Sequence, residues 1–157
     1  MPKYATLEWT YPAGERTPIG FQVIAESLSG SQLYQDQKAY SGPVYALVNT
    51  SCTFSNGTYN NLLLSGGYGA GAKVSFTVSA GVVTLTQLTG GDLYHIDDEL
   101  AGTTGSGENT QYVRFKVSQV LNRIVYTTDY LGPFKMAIRS VFPDGKSAWV
   151  YSNTLTP

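Results

Sequence analysis

Cysteine and histidine each occur once in this sequence of 157 residues, as Cys52 and His95. A single cysteine excludes an intrachain disulfide. No basic residue neighbours Cys52 in the sequence to activate it as a nucleophile, so we interpret it as a small structural thiol. The position of His95 relative to Cys52 or to any serine does not suggest a catalytic pair of nucleophile and base. We therefore interpret His95 as a turn residue. No enzymatic activity is therefore expected.

Charge is also scarce. Asp, Glu, Lys and Arg make up 13% of the residues, about half of the ~25% that is typical of soluble proteins. The ten basic residues are scattered and the net charge is −1. No basic stripe can neutralise a run of phosphates, so nucleic-acid binding is not expected. Since Lys and Glu are the best helix formers at exposed positions, we predict that only residues 30–40 could form a short helix.

Long apolar runs are missing as well. None approaches the roughly 20 residues that a membrane helix needs, and the first residues contain no apolar signal-peptide core. We therefore expect no membrane insertion and a protein that is made and folded in the cytoplasm.

The sequence is rich instead in short segments in which apolar and polar residues alternate. Such segments lie at 3–11, 19–28, 111–117 and 134–142, and the alternation is typical of half-buried strands. Turn signals every eight to twelve residues or so separate about ten strands. The segments around Ser79-Ala80-Gly81 predict a hairpin. An antiparallel all-β sandwich is predicted.

The two ends of the chain resemble a fibronectin type III domain. Two early motifs are similar to its strands B and C: Leu7-x-Trp9-x-Tyr11-Pro12 and Gly20-Phe21-x-Val23. Two late motifs are similar to its strands F and G: Phe134-x-Met136-x-Ile138 and Asp144-Gly145-Lys146-Ser147. The resemblance implies a sandwich core that contains Trp9, Phe21, Val23, Phe134 and Ile138.

Two departures from that family bear on function. Phe134 stands where the family usually has tyrosine, so the hydrogen bond of that hydroxyl cannot form. Little sequence precedes the strand-B motif to supply strand A, which would leave an edge strand with unpaired backbone groups. Our hypothesis is that a neighbouring subunit covers this edge by adding a strand.

The middle of the chain resembles a glycine-rich β-module of tailed-bacteriophage virion proteins, often tail or fibre components. The motifs follow one another in the order of that module: Gly66-Gly67-x-Gly69-Ala70-Gly71, Gly90-Gly91-x-x-Tyr94, Asp98-x-Leu100 and Gly105-Ser106-Gly107. We predict a fibronectin III-like sandwich over 1–50 and 119–157, interrupted by the inserted module at 51–118.

These resemblances imply a non-enzymatic structural protein of a phage virion, assembled in the host cytoplasm. Its expected partners are other virion proteins, copies of itself and a host-surface glycan, in the tail, neck or fibre region. Two alternatives stay open: a capsid decoration protein and a carbohydrate-binding module. No cofactor is expected.

Candidate surface contacts are aromatic, because such rings supply contact area at low entropic cost. They are Tyr68, Tyr94, Trp149 and Tyr151, with Trp149 equally compatible with the core. Four clustered carboxylates leave a calcium site open as an alternative to turn capping by Asp98: Asp92, Asp97, Asp98 and Glu99.

Overall fold

The structure, a computed structural model, describes residues 2–12, 14–105 and 107–156, and it confirms the prediction of an antiparallel all-β fold. One 3-10 turn (Gly107–Asn109) accompanies the strands. The strands are β1 (Lys3–Pro12), β2 (Gly20–Ser27), β3 (Gln32–Ala39), β4 (Val44–Cys52), β5 (Gly57–Leu63), β6 (Ala70–Ser79), β7 (Val82–Asp92), β8 (Glu99–Thr104), β9 (Gln111–Thr128), β10 (Phe134–Phe142), β11 (Gly145–Lys146) and β12 (Val150–Tyr151). Within the described part of the chain, no helix is long and apolar enough to cross a membrane.

The chain divides into two compact units. The first comprises Met1–Trp9, Arg16–Tyr40 and Asn122–Pro157, and the second comprises Thr10–Glu15 and Ser41–Leu121. The sequence-based assignment of a sandwich over 1–50 and 119–157 with an insert at 51–118 stays a prediction beside these bounds.

One sheet of the first unit has the order β11-β10-β2-β3, and β12 also pairs with β10. The segment 30–40, where a short helix was considered, contains strand β3 instead. The physical reason is tertiary pairing: Gln35 lies opposite Ile24 on β2, and the Tyr34 ring packs 4.9 Å from Tyr126. Packing of this kind overrides a weak local helix propensity.

The core of the first unit lies against the inner face of that sheet. Its buried residues are Val23, Ala25, Ile124, Tyr126, Phe134 and Met136, and Leu7, Trp9 and Ile138 pack against them half-buried. Phe21 is 3% exposed and lies edge-on to Trp9 at 5.2 Å between ring centres. Residues of β1 and β9 thus face β2 and β10 across one apolar layer, which is a sandwich-like arrangement.

β1 lies at the end of a second sheet, whose order is β1-β9-β4, with β8 also paired to β9. Its side chains alternate between half-buried Leu7 and Trp9 and exposed Thr6 and Glu8, so one face packs in the core. Since β9 is the neighbour of β1 in this order, the other edge of β1 is not paired in the described part of the chain.

The second unit contains a three-stranded sheet of order β5-β6-β7 and the residues of β4, β8 and β9 up to Leu121. Phe76 on β6 is at the centre of its core. The ring is 0% exposed and packs against Phe54, Tyr59 and Phe115.

The hairpin between β6 and β7 closes through Ala80 and Gly81, which have φ angles of 51° and 79°. Two successive positive φ angles define a type I′ turn, which suits the twist of a two-residue hairpin. Alanine adopts this conformation at a cost because its Cβ crowds the following carbonyl oxygen.

Replacing Ala80 by asparagine is therefore expected to stabilise the second unit by about 0.5–1 kcal/mol. Urea unfolding followed by hydrogen exchange of peptides from β6 and β8, which belong to the second unit, measures the change. Ser79→Asn is the matched control, since Ser79 is not among the residues with positive φ. An equal gain from both substitutions would contradict this explanation.

Candidate functional site

The acidic cluster folds into a turn whose centre is Asp98. The Asp98 side chain is buried, and its Oδ2 accepts hydrogen bonds from the backbone N–H of His95 at 2.9 Å and of Tyr68 at 3.1 Å. The carboxylate therefore joins the turn to the glycine-rich loop that precedes β6. Capping of the turn, one of the two possibilities raised by the sequence, is what this carboxylate does.

The other carboxylates of the cluster have separate surroundings. Asp92 Oδ1 accepts the N–H of Leu93 at 2.8 Å, and Asp97 Oδ1 lies 3.6 Å from Lys116 Nζ. Over the described residues, no three His, Cys, Asp or Glu side chains converge as ligands for a metal ion.

The glycines of the loop fit closely against this turn. A Cβ on Gly67 would lie 2.6 Å from Asp98 Oδ2, and a Cβ on Gly69 would lie 2.6 Å from the Tyr94 ring. Gly67 also has a φ of 68°, which side chains rarely adopt. The glycines at these positions are thus required for the glycine-rich loop to pack closely against the turn that contains Tyr94 and Asp98.

Tyr94 does not lie at the surface, where the sequence analysis placed it. Its side chain is fully buried, and its hydroxyl accepts the N–H of Ala72 at 3.2 Å. Because Gly69 has no side chain, the loop can lie directly on the ring. Tyr94 therefore holds the loop and is not available to a partner at the surface.

Tyr68 is the most exposed of the candidate contacts, with 80% of its surface accessible. Its ring lies edge-on to His95, with 4.8 Å between ring centres, while Asp98 holds its backbone. Cys52 is a half-buried free thiol on β4.

Trp149 and Tyr151 belong to the first unit and Tyr68 to the second. The Trp149 ring is half-buried, with the guanidinium carbon of Arg139 4.3 Å from its centre. Tyr151 is 49% exposed and lines a shallow depression with Leu28 and Lys135.

A groove that the sequence analysis missed lies on the second unit. Its volume is about 420 Å³, and it is lined by Thr50, Ser51, Ser65, Gly66, Glu99, Leu100, Ala101, Arg114 and Phe115. These residues come from four separate stretches of chain, and strand pairing brings them together. No spacing motif could have marked them.

The centre of the groove is Arg114 on β9. Ser51 on β4 and Ala101 on β8 lie opposite it in the two neighbouring ladders. These small residues leave space on either side of the arginine. Neither Arg114 nor Glu99 has an ion-pair partner among the described residues.

No family model matches the chain, and no curated protein and no solved structure matches it.

Proposed function

We propose that this chain is a non-enzymatic structural protein of a tailed bacteriophage virion, which binds other virion proteins and copies of itself in the tail, neck or fibre region. The observation that carries the proposal is the edge position of β1 (Lys3–Pro12) in its sheet. A long edge strand is a template on which another chain can add a strand.

The strand order supports a fibronectin III-like first unit. In such sandwiches strands C, F and G share one sheet, and strand B lies in the other. Here β2, β10 and β11, which contain the motifs similar to strands C, F and G, share a sheet, and β1 pairs with β9 in another. Strand A of such a domain would occupy the outer edge of β1, which pairs with no strand among the residues that the structure describes.

The composition of β1 supports an edge that accepts a partner. Natural edge strands are commonly protected by proline, charge or bulges. Lys3 and Pro12 lie at the two ends of β1, and between them the strand has one charged residue, Glu8, and no proline. Tyr4 is 78% exposed.

The glycine-rich segment supports the virion assignment through its resemblance to phage modules. Its glycines pack on Tyr94 and Asp98, which favours a folded structural element over a phosphate-binding loop. Exposed Tyr68 then stands at the surface of that element as a contact for a neighbour.

Hydrogen exchange tests the edge. Peptides that cover residues 3–11 should exchange at least about tenfold more slowly in the assembled particle than in the free protein, because added strands protect edge amides. Peptides covering β3 (Gln32–Ala39) are the control and should change little. Unchanged exchange at 3–11 would remove strand addition from the proposal.

The location in the virion has its own test. Separated tail and head fractions of the phage that encodes this chain, probed with an antibody against it, should show it with the tails. Recovery with heads alone would favour a capsid decoration protein, and absence from particles would overturn the virion assignment.

A further inference from the structure

We propose that the groove around Arg114 binds a neutral hexose unit of a glycan, a function that is independent of where the chain lies in a virion. The volume of about 420 Å³ is within the range of about 300–1,000 Å³ that small-molecule sites occupy. The bound unit would lie over the row that Ser51, Arg114 and Ala101 form across three strands.

The walls of the groove are held in place by the fold. On one side, the bulge of β4 between Asn49 and Ser51 is fixed by Asn49 Nδ2, which donates to the carbonyl oxygens of Ser51 at 3.1 Å and Arg114 at 2.9 Å. On the other side, Ser65 and Ala101 exchange two backbone hydrogen bonds of 2.8 Å. A site formed before binding loses little entropy when the ligand arrives.

The side chain of Arg114 is restricted by a neighbouring aromatic ring. Its guanidinium carbon lies 4.6 Å from the centre of the Tyr112 ring, a cation–π geometry that limits its rotamers. The planar guanidinium presents fixed N–H donors at the groove.

The polar groups match the chemistry of sugar hydroxyls. A hydroxyl both donates and accepts, and here it would meet the donor Arg114, the acceptor Glu99 and the hydroxyls of Thr50, Ser51 and Ser65. The side chains of Leu100 and Phe115 are each 1% exposed, so they form the buried floor beneath these polar groups and hold in place the strands that carry them.

The charge balance favours a neutral ligand over an anion. Lys116 lies near Asp97, so its charge is compensated. An anion drawn to Arg114 would also meet the carboxylate of Glu99 in the same groove, and like charges repel.

Saturation-transfer NMR and titration calorimetry test this, with the methyl glycosides of glucose, galactose, rhamnose and N-acetylglucosamine as neutral probes. Glucuronate and N-acetylneuraminate are the anionic probes. At least one neutral glycoside should bind with millimolar affinity. Arg114→Ser and Glu99→Gln should each weaken that binding by about tenfold or more, since each removes a charged hydrogen-bond partner.

Arg123→Ser is the matched control, because Arg123 is also an exposed arginine on β9 but pairs with Glu8 and does not line the groove. A second groove variant, Ala101→Gln, fills the space beside Arg114 and should also abolish binding. Melting temperatures identify any variant that fails to fold. Binding by none of the neutral glycosides, binding of the anions alone, or equal loss in Arg123→Ser would overturn the proposal, and none of these outcomes bears on strand addition at β1.

Discussion

Replacing Asp98 by alanine is expected to destabilise the second unit by about 3 kcal/mol, since hydrogen bonds to a charged acceptor contribute about 1.5–3 kcal/mol each. One buried oxygen, Oδ2, accepts two backbone N–H groups from different loops, those of Tyr68 and His95. Alanine leaves both donors without this partner. It also removes the side chain on which Gly67 packs, so the glycine loop loses its attachment to the turn.

Two further substitutions separate the charge from the hydrogen bonds. Asp98→Asn keeps an oxygen that can accept N–H bonds and should lose only about 1–1.5 kcal/mol, because the acceptor is then neutral. Asp97→Asn is the matched control. Asp97 is exposed and lies 3.6 Å from Lys116, and an exposed ion pair of this kind contributes roughly 0–1 kcal/mol.

The two units call for separate probes in this measurement. Trp9 and Trp149, the two tryptophans of the chain, belong to the first unit, so tryptophan fluorescence follows that unit. Hydrogen exchange of peptides from β6 and β8 follows the second. A loss in Asp98→Ala that is no larger than the loss in Asp97→Asn would contradict the assigned function of the carboxylate.

The turn around Asp98 also shows how far the sequence could lead. An aspartate among turn residues predicts capping from local chemistry alone, and that interpretation agrees with the contacts of Asp98. Tyr94, only four residues earlier, was expected at the surface because the sequence does not show what faces it. Its burial depends on Gly69, which lies 25 positions away in the chain and contacts the ring.

The strands themselves were predictable where the alternation was strong. Alternating segments at 19–28 and 134–142 correspond to β2 and β10, which pair from Gly20 opposite Val141 to Ser27 opposite Phe134. The expectation of a half-buried strand was wrong for β2, which is buried on both faces because it lies between β10 and β3 and under the core. Residues 30–40 were harder, because a short polar segment carries no clear period and tertiary pairing decides its structure. The groove could not be predicted from the sequence for a related reason. A β-bulge next to Thr50 and the pairing of Ser65 with Ala101 create it, and neither feature has a local sequence signal.

The two proposed binding surfaces, the edge of β1 and the groove around Arg114, would bind their partners through different chemical groups. Strand addition uses backbone groups, so it tolerates many partner sequences. The groove uses a few placed side chains, which give specificity. A chain with both can join an assembly through one surface and recognise a small ligand through the other.

The last prediction concerns the core that supports the groove. Phe76 is 0% exposed, and its ring lies 5.3 Å from Phe54, 5.2 Å from Tyr59 and 6.4 Å from Phe115 between ring centres. Phe76→Ala should cost about 4 kcal/mol, because it removes a buried aromatic ring and leaves a cavity. Since Phe115 contacts Phe76 and directly follows Arg114 on β9, the same variant should weaken glycoside binding by shifting the strand that carries Arg114.

Phe76→Leu retains most of the volume and should cost about 1–1.5 kcal/mol. Val82→Ala is the surface control, because Val82 is 63% exposed and truncation there should change stability by less than about 0.5 kcal/mol. Urea unfolding followed by hydrogen exchange of β6 peptides measures the stability of all three variants. If Phe76→Ala proved no more destabilising than Val82→Ala, the aromatic cluster would not be the core of the second unit.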